Sequence, residues 1–159
     1  MKKLILFATF FISSLTSNSQ QTDYDTKDFD VLIIDNTYVI GMNMRNPYFA
    51  LRMTNARFIQ LMQKYGYLIT EGGNYMAQNL RGGTYTIKKE AGMISMIWAL
   101  DAAFPSKLKD QVQDSFTGYE NGYAVYKMID PDDKSYGLLI WLSDNGQNGW
   151  MTIQRVKIK

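Results

Sequence analysis

The spacing of apolar residues changes period several times along this chain, and each change marks an element. The clearest stretch is "NPYFALRMTNARFIQLMQKYG". Leu51, Thr54, Phe58, Leu61, Met62 and Tyr65 recur there at three- and four-residue steps, with Arg52, Asn55, Gln60 and Gln63 mostly on the other side. With Asn46 as N-cap, Pro47 at the first helical position and Gly66 past the end, the pattern predicts one amphipathic helix of about 19 residues lying on a sheet. A membrane- or partner-binding helix carries the same stripe, but core packing is the expectation.

Upstream, "FDVLIIDNTYVIGMNM" holds two β-rich runs around Asp35-Asn36 and reads either as one long strand or as a hairpin turning at that pair. Downstream, "YLITE", "NYMAQNLR" and "TYTIKKE" are separated by Gly72-Gly73 and Gly82-Gly83. Glycine reaches positive φ without steric cost, so these pairs predict hairpin turns. They match no phosphate cradle, since neither G-x-x-x-x-G-K-[ST] nor G-x-G-x-x-G between a strand and a helix is present.

"AGMISMIWALDAAF" then switches to helical spacing: Met93, Met96, Ile97, Leu100 and Phe104, broadened by Ile94 and Trp98. It predicts a buried helix that Pro105 breaks. In "SKLKDQVQDSFTG" a shorter helix follows, with Ser106 as cap, Leu108, Val112 and Phe116 aligned, and Gly118 as stop. The chain ends in three strands, "YAVYKMI", "YGLLIWLS" and "WMTIQRVKIK". The middle one is apolar on both faces, as a central strand is. Their connectors "DPDDK" and "DNGQNG" are short and rich in turn formers, which makes an antiparallel meander the simplest arrangement. No internal repeat interrupts the order. The fold class is α+β: a single domain, a mostly antiparallel sheet ending in a three-strand meander, and two or three helices packed on one side.

Composition changes this picture first at the N-terminus. Lys2 and Lys3 precede a short apolar run from Leu4 to Ile12, and Ser17-Asn18-Ser19 supplies small residues for a peptidase. That is the layout of a secretory signal over residues 1–19, cut near Ser19-Gln20. Residues 20–28 form a polar, mobile lead-in, and residues 29–159 the domain. The expected location is periplasmic or secreted, with no transmembrane span after processing. The chain carries 17 Lys plus Arg against 15 Asp plus Glu. Losing Lys2 and Lys3 makes the mature protein formally neutral. No long-range field draws in a phosphate backbone, so nucleic acid is not an expected partner. What remains, about 140 residues, has enough length for a core without staples.

Two absences narrow the chemistry. There is no histidine and no cysteine, which removes imidazole acid–base work, thiol nucleophiles and the usual zinc and haem ligand sets. No cofactor is expected, and no disulfide framework exists. Asp110 and Asp114 lie four apart and read as a wet helical face rather than a paired catalytic site. "DPDDKSYG" fails the calcium-loop pattern. Counting from Asp130, the fifth position is Lys134, the sixth Ser135 rather than glycine, and the twelfth Trp141 rather than glutamate. It reads as a proline-started turn, and no metal site is expected.

The better constellation comes from the meander. If its strands run antiparallel, "YENGY" and "SDNGQNGW" share one edge. That rim gathers Tyr119, Tyr123 and Trp150 with Asn121, Asn145, Gln147 and Asn148, plus Glu120 and Asp144. Aromatic planes beside amides suit neutral polar ligands, the ring covering an apolar C–H face while the amide both donates and accepts. Hairpin turns and core-capping aromatics account for the same residues without any ligand. Three functions follow as expectations. The first is a non-catalytic binding or inhibitory module for a saccharide, peptide or protein. The second is a small cofactor-free, glycosidase-like hydrolase with Glu120 and Asp144 as its carboxylate pair. The third is an envelope-assembly component docking a partner through apolar faces.

Overall fold

The computed structural model describes residues 23–99, 103–143 and 148–159. The expected leader over residues 1–19, its expected cleavage position and residues 20–22 lie outside the described residues. Among the described residues the chain forms an α+β domain in which one eight-stranded antiparallel sheet carries three helices on one face. Its strands are β3 (Leu68–Ile69), β4 (Tyr75–Gln78), β5 (Thr84–Glu90), β6 (Met93–Ala99), β7 (Phe116–Glu120), β8 (Tyr123–Ile129), β9 (Tyr136–Ser143) and β10 (Asn148–Lys157). They lie in the order β3-β4-β5-β6-β10-β9-β8-β7. A separate two-stranded ribbon, β1 (Val31–Ile34) with β2 (Thr37–Ile40), precedes them. Among the described residues no helix is long and apolar enough to cross a membrane.

The ribbon settles the Asp35-Asn36 alternative in favour of a hairpin. Ile34 pairs with Thr37, and both intervening residues have positive φ, 47° and 62°. That is the two-residue turn whose twist matches the strands it joins. Gly73 and Gly82 also sit at positive φ, 71° and 82°, in the turns of the β3–β4 and β4–β5 hairpins. The glycine pairs turn the chain, as the pattern predicts.

The 19-residue helix is instead two, α1 (Arg45–Arg52) and α2 (Asn55–Lys64). Met53 and Thr54 between them are extended. Three groups hold the break open. The Thr54 hydroxyl accepts from the Arg57 amide at 3.2 Å, Asp25 accepts from the Thr54 amide at 2.7 Å, and the Lys89 ammonium donates to the freed carbonyls of Ala50 and Met53. Two of the three come from distant parts of the chain, so the helical spacing runs through the break unmarked. Asn46 is likewise no cap. It lies inside α1, fully buried, accepting from the Asp30 amide and donating to the carbonyls of Asp30 and Gly41, while Asn43 caps its amide. Gly66 does end α2 at φ 72°, with the Tyr67 and Gly66 amides returning to the carbonyls of Met62 and Gln63. Thr54→Ala is expected to cost about 1 kcal/mol, read as a lower urea midpoint at an unchanged slope.

The buried helix over 93–104 is not there. Residues Met93–Ala99 form β6, paired with β5 on one side and β10 on the other. Ile94, Met96 and Trp98 are buried at alternating positions, the two-residue period of a strand. Gly92, at φ 73°, starts it from a tight turn. Methionine and isoleucine at 93, 96 and 97 mimic helical spacing because a central strand is apolar on both faces. Leu100 lies outside the described residues. Pro105 falls in the first turn of α3 (Ala103–Val112), where proline is tolerated, and starts a helix rather than breaking one. Leu108 and Val112 are buried as expected, but Phe116 already belongs to β7.

The expected lead-in is anchored to the helices at Tyr24 and Asp28. Tyr24 is buried edge-on to Tyr48 and Phe49, and Asp28 pairs with Lys64 and Tyr65. The main core lies between the helices and one sheet face, where Ile87, Ile94, Met96, Leu138, Ile140, Leu142, Met151 and Ile153 are essentially inaccessible. Among the described residues, no helix covers the other face.

Candidate functional site

The open face is built by the final meander and β6. Glu120 pairs with Tyr123 across a two-residue turn, Asn121-Gly122, with φ of 51° and 82°. This tight hairpin sets Glu120 and Asn121 beside the start of β8. Tyr123 pairs with Ser143 of β9, and Trp150 of β10 stands one residue beyond the Met151–Leu142 pair. The two rings therefore meet over the small Ser143, with centroids 4.5 Å apart at 42°. One step further along this face, Val125, Trp141, Thr152 and Ser95 form a continuous cross-strand row. The Ser95 and Thr152 hydroxyls lie 2.9 Å apart, and the Trp141 indole N–H donates to Glu120 at 3.3 Å.

These groups enclose an open depression of about 380 Å³, lined by Glu120, Asn121, Tyr123, Trp141, Trp150, Ser95 and Thr152, with Met93 and Gln154 at its far side. Of the residues picked from the rim pattern, Glu120, Asn121, Tyr123 and Trp150 converge on it. Tyr119 does not. It pairs with Ala124, one step from the Glu120–Tyr123 pair, so strand alternation turns it to the helix-bearing side. It is 67% exposed there, against the ring of Phe116. Asn148 opens β10. Asp144, Asn145 and Gln147 lie outside the described residues.

The pattern reading missed Trp141, Ser95 and Thr152. Trp141 had a usable signal, since it shares strand parity with Ser143 and so faces away from the side on which its buried neighbours Ile140 and Leu142 lie. Ser95 was hidden by the helical reading of its segment.

No family model, curated protein or solved structure matches this chain. What the depression can do rests on its chemistry alone. A pair of ring faces offers apolar area, and the hydroxyl pair, the Gln154 and Asn121 amides and the Glu120 carboxylate offer both donors and acceptors. Glu120 is exposed, unlike the enclosed acid of a glycosidase carboxylate pair.

A second polar cluster sits on the helix side, in the β8–β9 turn. Asp130 is 0% exposed. One of its carboxylate oxygens accepts from the Tyr48 hydroxyl at 2.6 Å and the Asp132 amide at 3.0 Å, and the other from Nε of Arg155 at 2.5 Å. Arg155 reaches Asp133 at 3.1 Å and lies over the Tyr136 ring at 3.5 Å. Burial alone raises the Asp130 carboxyl, but hydrogen bonds from Tyr48 and Arg155 outweigh it and hold the group below the ordinary carboxylate value. Burial, then the Asp130 contact, pushes the Tyr48 hydroxyl well above the usual tyrosine value. The DPDDK segment thus spends its first carboxylate on an arginine and a tyrosine.

Proposed function

We propose that this protein is an exported, non-catalytic binding module whose open sheet face holds a saccharide. The single observation that carries the reading is the ring pair of Tyr123 and Trp150 set beside hydroxyl, amide and carboxylate groups in one depression. Sugars present an apolar C–H face to stack on a ring and a rim of hydroxyls that both donate and accept. The neutral charge of the mature chain suits a neutral ligand, and the leader supports a periplasmic or extracellular setting. A peptide with aromatic side chains is the alternative ligand at the same surface.

The test is retention on a panel of immobilised glycans and peptidoglycan fragments, repeated with Trp150→Ala. Binding to at least one glycan, weakened about tenfold or more by the substitution (about 1.4 kcal/mol or above), is the expected result. Retention that ignores Trp150, or none at all, removes the saccharide reading. Hydrolysis of a bound glycan, lost in Glu120→Gln, promotes the hydrolase instead.

The assembly reading has an observation of its own. Leu32, Ile33, Tyr38, Leu68, Ile69 and Leu80 are all exposed. They belong to the ribbon and the β3–β5 hairpins, which Thr37 joins to the Gln78 carbonyl and Asp35 to Arg81. Exposed apolar area of this kind marks interaction surfaces.

A further inference from the structure

A larger cavity, about 590 Å³, lies across the sheet from the aromatic depression, on its helix-bearing face. It lies between the turn at Tyr24–Thr26, the break after α1, and Gly92 and Arg155. Arg52 and Arg155 line it. The Arg52 side chain is only 17% exposed. Its one ion-pair partner among the described residues is Asp130, whose Oδ2 stands 3.8 Å from Nη1 of Arg52 and is already taken by Arg155 at 2.5 Å. Among the described residues no group accepts a hydrogen bond from Arg52, which rests over the Tyr24 ring at 5.4 Å. Nη1 of Arg155 is likewise left over, since Nε serves Asp130 and Nη2 serves Asp133. Both guanidinium groups approach the same carboxylate oxygen, so they lie within one small anion's reach of each other. A largely buried guanidinium with unused donors recognises carboxylate or phosphate in matched geometry.

The neighbouring charges choose between those two. Asp23 and Asp25 also line the cavity. Asp25 is committed to the Thr54 amide and has Lys89 nearby, whereas Asp23 uses one oxygen on the Asp25 amide and, among the described residues, keeps the other free. With Asp130 and Asp133 behind the arginines, the carboxylates outnumber the cations of this region. A doubly charged phosphate meets repulsion there. A ligand with one carboxylate and one ammonium matches both poles, its anion on the arginines and its cation on Asp23.

We propose that this cavity binds a small zwitterion, a free amino acid or a dipeptide. The carboxylate bridges the spare donors of Arg52 and Arg155, and the ammonium faces Asp23. The site is independent of the aromatic depression.

The test is calorimetric titration of the full processed protein with the twenty free amino acids and dialanine. Each binder is then repeated as its N-acetyl and carboxamide forms, with inorganic phosphate as a further arm. The expected result is binding of at least one zwitterion, weakened at least about tenfold by either blocking group and by Arg52→Gln, with phosphate weaker still and Trp150→Ala without effect. Asp23→Asn, an exposed change that leaves folding intact, is expected to weaken the free form severalfold and the N-acetyl form not at all. No binding in the panel, equal binding of the N-acetyl form, tighter binding of phosphate, or Arg52→Gln binding like the unsubstituted protein overturns the proposal. If Arg52→Gln does not fold, an unchanged affinity in Asp23→Asn overturns it equally.

Discussion

Asp130→Ala is expected to lose about 3–5 kcal/mol of folding stability, because it strands buried donors that the aspartate now satisfies. Three donors converge on this one inaccessible carboxylate, from α1, from β10 and from its own turn. Removing it leaves the largely covered Arg155 guanidinium without its shortest partner and the Tyr48 hydroxyl with only Asp132, 3.0 Å away. Urea unfolding gives the number, and a loss under about 1 kcal/mol contradicts the role assigned to this carboxylate. The pH dependence supplies an independent check. The folded carboxyl titrates below its unfolded value, so its stabilisation is complete above the ordinary aspartate pKa and disappears as pH falls through that value toward the folded one. Stability should therefore fall from about pH 5 downward. In Asp130→Asn that part of the slope should be missing. A wild-type and variant difference that is constant with pH denies the linkage.

The second large effect belongs to the strand that helical spacing disguises. Trp98 is 1% exposed and meets Tyr85 edge-on at 5.8 Å, in the middle of the sheet. Trp98→Ala is expected to cost about 3–5 kcal/mol from lost transfer energy and the cavity left behind. Its neighbour on the open face provides the contrast. Ile97 is 40% exposed, and Ile97→Ala should cost less than half as much. Alanine substitutions along 93–98 should thus alternate between cheap and costly. A three- to four-residue period in the measured losses contradicts the strand.

Turns and caps that depend on a residue's own backbone preferences were readable from the chain. The positive-φ turns at Gly73 and Gly82 and the end of α2 at Gly66 are examples. The meander was readable for the same reason, since its three strands are joined by short connectors and bounded by turn formers. Because antiparallel pairing then sets one edge, Glu120, Asn121, Tyr123 and Trp150 were recovered as neighbours. Tyr119 belongs to the same edge but to the other face, because adjacent residues of a strand point opposite ways. Grouping residues by strand end finds an edge; only the parity counted from the turn separates its two sides.

Residue types and nearest neighbours were enough for the fold class, the turn positions, the missing imidazole and thiol chemistry and the aromatic character of one sheet edge. Contacts between distant segments were needed to make residues 93–99 a central strand, to split the long helix at Thr54, and to bring Asp130, Tyr48, Arg52 and Arg155 together. An apolar segment's period is ambiguous until its partners on both sides are known. A break supported by Asp25 and Lys89, or a carboxylate bonded across 82 positions of sequence to Tyr48, exists only once the chain has brought those groups into contact.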